Sequence, residues 1–285
     1  MSFAIATKDV PVTGRLKSDI PSSFPCPASQ VAIDQRSNTY SIGTSELNIQ
    51  ICIDNEGDLT LSWLPVASAA SVEHSAAFLQ DLNHRAYAYD KSGHGVWHYV
   101  KATHGDLYYG LGERTSPLLL NRRRFRLECL DALGYLADSG DPLYKFMPWY
   151  LCLNTNTMIS YGIFYDNLST GHIDFGCEQD AFWGDYRSYY ASEGILDYYL
   201  VYGGVNGGLE RVMQDFTKLV GLPKLPPKYA FGYLASSMGY AESDNAQHLL
   251  EAFPDLCRKY DIPCELIHLS SGYTGILLCS AILND

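Results

Sequence analysis

Leu47-Asn48-Ile49-Gln50-Ile51-Cys52-Ile53, then Asp54-Asn55-Glu56-Gly57, then Leu59-Thr60-Leu61-Ser62-Trp63 is the stretch from which the fold is read. Both flanks alternate with period two, the spacing of a strand with one buried face. The four residues between them carry turn chemistry, so the segment predicts a β-hairpin. Outward from it, strand patterns recur at 95–101, 148–154, 160–165, 173–175 and 196–202. No long helical pattern interrupts them up to residue 203, which predicts an antiparallel β-sandwich over 36–222. Upstream, Pro11, Pro21, Pro25 and Pro27 mark 1–35 as an irregular lead-in.

The period changes near residue 207. Leu209, Val212, Met213, Phe216, Leu219 and Val220 fall at helical spacing, Gly221 supplies a C-terminal cap, and Pro223 prevents continuation. A proline-marked linker, 222–227, follows. Residues 229–234 form a short apolar run that predicts a strand. Ser243 is placed to cap a helix whose apolar face holds Leu249, Leu250, Phe253 and Cys257. Pro254 within it predicts a kink or a split. Another apolar strand is expected at 264–269. Strand, helix, strand is the βαβ unit that opens a parallel α/β domain.

The chain has 285 residues, 47% hydrophobic and 18% charged, which fits a folded protein of one large or two ordinary domains. A formal net charge of -12 argues against nucleic acid as a partner. The 22 tyrosines suit a β-rich protein, since aromatics favour strands. They equally suit sugar ligands, whose rings have an apolar face and a rim of hydroxyls. Residues 1–9 lack a basic start followed by an apolar run, so no secretory signal is expected. No segment approaches the roughly 20 apolar residues of a membrane span. Eight scattered cysteines without metal spacing predict reduced thiols in a cytoplasmic chain. Asn167-Leu168-Ser169 is a glycosylation sequon expected to be unused in that setting. No cofactor is expected, because the chain lacks a phosphate-binding glycine loop, a nicotinamide fingerprint and a metal-ligand pattern.

Three segments then carry a resemblance. Tyr108-Tyr109-Gly110-Leu111-Gly112-Glu113 is followed about twenty residues later by Gly134-Tyr135-Leu136-Ala137-Asp138-Ser139-Gly140-Asp141-Pro142-Leu143-Tyr144-Lys145. Leu225-Pro226-Pro227-Lys228-Tyr229-Ala230-Phe231-Gly232-Tyr233 comes third. In that order they resemble the front half of glycoside hydrolase family 31, the α-glucosidase and α-xylosidase family. The similarity runs from roughly residue 40 to Thr274. It implies a mutarotase-like β-sandwich, then the first βαβ part of a truncated (β/α)8 TIM barrel over 228–274, with 275–285 a tail outside the family pattern.

The resemblance also implies site residues. In the family a long loop from the sandwich offers an Asp to the sugar, and it matches Leu130-Asp131-Ala132-Leu133-Gly134-Tyr135 here, making Asp131 the transferable candidate. A carboxylate suits that task because it accepts charge-assisted bonds from hydroxyls. A turn-capping Asp is the alternative reading of Asp131. Asp141 is expected to fix the Gly-Asp-Pro turn, and Glu113 its own glycine-bounded turn. After the first barrel strand the family has an aromatic where Met238 stands. After the second it has a sugar-gripping Asp where Ser270 stands. Ends of barrel strands are where substrate contacts lie, so the two departures put plain α-glucosidase specificity in question. His268 is read as a strand histidine.

The activity implied is hydrolysis of α-O-glycosidic bonds by a retaining mechanism, which needs two carboxyl groups about 5–5.5 Å apart. The family takes both from later barrel strands, so the chain is expected to be an N-terminal fragment, inactive alone, with no catalytic residue of its own. Its partner would be an α-glycoside, and the incomplete barrel would permit self-association. A second reading is a non-catalytic carbohydrate-binding or interaction module. A third is a sugar epimerase, which would need a His/Glu pair drawn from His84, His94, His98 or His104.

Overall fold

The computed structural model describes residues 38–66, 76–92, 94–132, 134, 136, 140–204 and 208–269, with the backbone of the strands Ser2–Ile5 and Gln30–Asp34. The chain divides into two compact units, Met1–Gly221 and Leu222–Asp285.

The hairpin forms as expected. Leu47–Ile53 pairs antiparallel with Leu59–Pro65, Ile49 opposite Trp63 and Cys52 opposite Thr60. Ile49, Leu61 and Trp63 are buried while Asn48 and Gln50 are exposed, so the alternation reports one covered face. The turn is closed by Asp54, whose Oδ1 accepts the Asp58 amide at 2.8 Å and the Glu56 amide at 2.9 Å. These strands are central in a five-stranded sheet of order Gln30–Asp34, Thr39–Gly43, Leu47–Ile53, Leu59–Pro65, Leu79–Gln80.

Two further five-stranded antiparallel sheets complete the first unit. One runs Ser2–Ile5, Leu196–Gly204, Ser160–Tyr165, Trp149–Asn154, Asp106–Gly110. The other runs Arg124–Leu127, Gly171–Asp174, Tyr186–Ala191, Val96–Lys101, Tyr87–Tyr89. Their inner faces meet through aromatic rings. Tyr165 stacks on Tyr189 with centroids 3.8 Å apart, His98 on Tyr198 at 5.0 Å, and Tyr108 on Phe175 at 4.8 Å. The hairpin's Ile49, Leu61 and Trp63 join the same core. Much of the tyrosine content is therefore spent inside the sandwich. Helix α1 (Leu209–Val220) closes the outer face of the first of these two sheets. Phe216 lies flat on Trp149, centroids 3.9 Å apart, and Val212 is fully buried beside Val201.

Four findings differ from the sequence reading. Ser2–Ile5 and Gln30–Asp34 are strands within the stretch read as an irregular lead-in; their pairing with Leu196–Gly204 and Thr39–Gly43 supplies order that proline content masked. Short strands at Asp106–Gly110, Arg124–Leu127 and Tyr186–Ala191 complete the sheets where alternation was too brief to read. The apolar run at 229–234 is mostly a 3-10 turn, Lys228–Phe231, closed by Ala230 N–H to Pro227 O and Gly232 N–H to Tyr229 O, both 3.0 Å; the strand begins only at Leu234. Pro254 does not split its helix.

In the second unit, Leu234–Ser236 and Leu266–His268 pair in parallel, Ala235 opposite Ile267. Helix α2 (Met238–Ala241) and helix α3 (Ala246–Lys259) connect them. The right order of elements for a βαβ opening is present. Among the described residues no helix is long and apolar enough to cross a membrane.

Candidate functional site

The loop that leaves the strand Arg124–Leu127 is fastened at its base by charge. Asp141 Oδ2 accepts the Arg126 amide at 2.8 Å, and the Arg126 guanidinium returns to the Asp141 carbonyl at 2.7 Å. Asp141 Oδ1 takes the Arg114 guanidinium, whose other arm donates to the Arg126 carbonyl at 2.9 Å. The Arg114 side chain is 4% exposed and lies over the Phe125 ring, 5.1 Å from its centroid. Burial lowers its pKa and Asp141 pulls it back up, so the pair must hold together to tolerate desolvation. Thr115 Oγ1 adds a hydrogen bond to the Gly140 carbonyl. Across the neck, Leu130 N–H donates to Leu143 O at 2.9 Å.

Arg114 follows directly on the Gly110-Leu111-Gly112-Glu113 turn. Leu111 and Gly112 both have positive φ, 68° and 78°, and a Cβ on Gly112 would sit 3.1 Å from the Met147 amide. The turn thus delivers Arg114 to Asp141, and two motifs far apart in sequence become one joint. The Asp141 carboxylate, expected to fix the Gly-Asp-Pro turn, instead bridges two arginines. Glu113, expected to stabilise its own turn, instead has a buried Oε2 without a hydrogen-bond partner. Arg114 and Arg126 were missed in the sequence, where no local pattern marks them as partners of Asp141.

Asp131 lies just beyond this joint, exposed, and accepts a 2.8 Å hydrogen bond from the Tyr144 hydroxyl on Oδ1. The structure therefore gives Asp131 a side-chain partner across the loop neck. Met238 opens helix α2 in the second unit and is 54% exposed; Ser237 caps that helix by accepting the Gly239 amide at 3.2 Å. Ser270 lies outside the described residues. His268 is exposed, its Nδ1 3.4 Å from Ser236 Oγ.

The histidines form other partnerships. His98 is 1% exposed, with Nε2 2.9 Å from Asp81 Oδ1 and Nδ1 3.0 Å from the Tyr165 hydroxyl. Asp81 also accepts the Leu61 amide at 2.9 Å and the Tyr87 hydroxyl. His84 sits between Asp54 and Asp58 at 3.1 and 3.5 Å, and His104 Nδ1 meets Asn156 at 3.2 Å. Among the described residues no hydrogen bond or ion pair joins His84, His94, His98 or His104 to a glutamate. The sandwich interior is instead organised by Arg187. It is 2% exposed and bonds Tyr150 at 2.8 Å, Tyr108 at 3.0 Å and the Lys101 carbonyl at 3.2 Å. Cys152 in the same region is buried, and burial pushes its thiol far up, so it is inert. The described cysteines Cys52, Cys129, Cys152, Cys177, Cys257 and Cys264 are free. Asn167 is 1% exposed, and its amide nitrogen donates to the carbonyls of Glu193 and Ile195 at 2.8 and 3.2 Å, so the folded chain offers no free acceptor at the sequon.

With this geometry in view, residues 6–174 match the glycosyl hydrolase 31 N-terminal galactose mutarotase-like domain. The chain belongs to glycoside hydrolase family 31. It is 28% identical over 168 residues to alpha-glucosidase 2 of Bacillus thermoamyloliquefaciens, covering 59% of this chain and 20% of that protein. It is 30% identical over 142 residues to an alpha-glucosidase of Saccharolobus solfataricus, covering 50% and 19%. The matched segments thus span about a fifth of those relatives' length. Among solved structures, the Flavobacterium johnsoniae GH31 dextranase FjDex31A, complexed with glucose, superposes with a TM-score of 0.66 at 24% identity, covering 85% of this chain and 26% of that one. The Gracilariopsis lemaneiformis alpha-1,4-glucan lyase superposes at 0.58 with 17% identity, covering 87% and 28%. These two likenesses establish the fold.

Proposed function

We propose that this chain is the sugar-orienting N-terminal part of an α-glucosidase-type glycosidase and is inactive by itself. The observation that carries the reading is Asp131 beside a loop base fastened by Arg114, Asp141 and Arg126 in a chain of family 31. A carboxylate held on a rigid base accepts sugar hydroxyls with little ordering cost on binding. The second unit supplies two parallel strands, read as the opening of a (β/α)8 barrel. A full barrel takes about 250 residues, and its strand ends would carry the nucleophile and the acid/base. Met238 and Ser270 would then stand at substrate-facing strand ends in place of an aromatic and an Asp. That pairing puts plain α-glucosidase specificity in question, so both an α-glucoside and an α-xyloside are assayed. No cofactor enters this chemistry.

The test is paired. The chain is assayed for release of p-nitrophenol from p-nitrophenyl α-glucoside and α-xyloside, and for maltotriose binding by calorimetry. Binding without turnover, lost in Asp131→Ala, supports the proposal. Turnover overturns the inactive part of it, and binding unaffected by Asp131→Ala overturns the role of Asp131.

The non-catalytic binding module is the second reading, favoured by the large core cluster of the first unit, which runs from Ile49 to Leu200. It predicts maltotriose binding by residues 1–221 alone.

A further inference from the structure

We propose that Asp54, Asp58 and His84 hold a divalent cation, zinc by their donor set, where the chain leaves one sheet for the next. Asp54 and Asp58 bracket the turn between Leu47–Ile53 and Leu59–Pro65. His84 comes from the stretch joining Leu79–Gln80, the edge of the same sheet, to Tyr87–Tyr89, the edge of another. Each residue offers one ligand atom, and the three atoms lie within 4.8 Å of one another. His84 Nδ1 is 3.1 Å from Asp54 Oδ2 and 3.5 Å from Asp58 Oδ2. Zinc bonds of about 2.0–2.2 Å set neighbouring ligand atoms roughly 3.0–3.5 Å apart, so these two edges already have the length that a bound ion requires. An imidazole nitrogen favours zinc over magnesium or calcium, and two carboxylates balance its charge.

A protonated His84 shared between two carboxylates is the alternative. Against it, neither approach to Nδ1 has the alignment of a hydrogen bond among the described residues. A cation would set the oxygens to the side of the Nδ1 direction in this way. A cavity of about 240 Å³, walled in part by Asp58, His84, Tyr87 and Tyr89, adjoins the cluster. At about 30 Å³ per water it holds several, enough to complete the coordination shell. Asp54 is preset as a ligand. Its Oδ1 is taken by the amides of Glu56 and Asp58 at 2.9 and 2.8 Å, which leaves Oδ2 on the histidine. Bonds of this kind orient a metal ligand. Arg85 also lines the cavity, but its guanidinium is engaged by Tyr99, donating to the hydroxyl at 3.2 Å and lying 4.3 Å from the ring centroid. A bound ion would tie the hairpin turn to the crossover between sheets. It would stabilise the first unit and take no part in glycoside chemistry.

The experiment is calorimetric titration of the 285-residue chain, stripped with EDTA, with zinc chloride and separately with magnesium chloride. It is run on the unsubstituted protein, Asp58→Asn and His84→Asn. Both variants keep the fold: the Asp58 amide, not its carboxylate, closes the turn, and Asn tolerates the φ of 57° at position 84. The unsubstituted chain should take up one zinc at this site and no magnesium. Its melting temperature should rise by about 5 °C when zinc is in hundredfold excess over Kd. Loss of a partner that orients a ligand already weakens metal binding about 10–100-fold, so loss of the ligand itself in either variant should weaken it by about 100-fold or more and abolish the thermal shift. No saturable zinc uptake by the unsubstituted chain overturns the site and leaves a protonated His84 between two carboxylates. Zinc uptake of unchanged affinity in either variant also overturns it, since the ion then sits on other donors. Magnesium uptake in place of zinc overturns the donor argument.

Discussion

The two units spend their apolar residues in opposite ways. In the first, Leu61, Trp63, Leu111, Ile163 and Tyr198 are at most 1% exposed. In the second, Leu222 is 79% exposed, Leu225 89% and Phe231 68%, and Ala235, Ala241 and Cys257 are the buried apolar residues among those described. Composition does not separate them; closure does. Facing sheets and a covering helix let each inner residue of the first unit touch neighbours on every side. Two parallel strands and one long helix offer partners on one side only. Parallel pairs are ordinarily buried on both faces, whereas Leu234 and Leu266 in this one are exposed.

The largest expected consequence is in local stability. Amides of the strands Leu234–Ser236 and Leu266–His268 should exchange orders of magnitude faster than those of Ser160–Tyr165 and Leu196–Gly204, since opening free energy follows buried contact. Hydrogen exchange on the monomer checks this, and uniform protection across both units would break the comparison. Dilution sharpens it: exposed apolar surface and open strand edges favour association, so protection in the second unit should rise with protein concentration while the first unit stays unchanged.

Within the first unit, Arg187 is where removal should cost most. Arg187→Ala removes the buried donor to the Tyr150 and Tyr108 hydroxyls, Tyr108 keeping its bond to Asp106, and takes away the cation 3.9 Å from Asp106. Breaking a buried pair by removing one partner costs about 3–5 kcal/mol, read as a drop in the denaturation midpoint of the first unit. Gly162→Ala comes next. A Cβ there would lie 2.0 Å from the Trp149 ring, which is itself clamped under Phe216. Overpacking of this kind costs about 1–3 kcal/mol, and a wild-type midpoint would mean that the helix cover is looser than its geometry.

The same contrast explains what could be read from the sequence. Leu47 to Trp63 was legible because one face of a hairpin is buried and one is wet, so alternation survives in the residues. The strand Tyr186–Ala191 was not, because Tyr186, Arg187, Ser188 and Tyr189 are all buried, and a strand covered on both faces shows no alternation. Asp131 was legible only through the resemblance; nothing local distinguishes an exposed Asp in a loop. The joint beneath it was illegible, since Arg114 and Asp141 meet across 27 residues and neither spacing nor composition encodes such a contact. In the second unit the order of elements could be read, but the start of the first strand was displaced by the 3-10 turn after Pro226-Pro227, where rigid φ and short-range bonds outweigh apolar character.

The smallest expected effect distinguishes the units by pH. His172 pairs across to Tyr190 and to Arg126 in the first unit, and its pKa is lowered by burial and then by Arg124, with Asp174 and Glu178 pulling the other way. The unfolded chain keeps the ordinary histidine value of about 6.5. Between the two values the unfolded state binds more protons, so stability rises with pH there and is lost as pH falls through about 6.5. The loss levels off below the folded pKa. Denaturation of the first unit followed from pH 7.5 down to 5.5 should therefore show a shallow decline that His172→Asn flattens. Exchange rates in the second unit, corrected for intrinsic pH dependence, should not respond to that substitution. A response there would mean that the two units unfold as one, and the difference in their burial would no longer describe a difference in cooperativity.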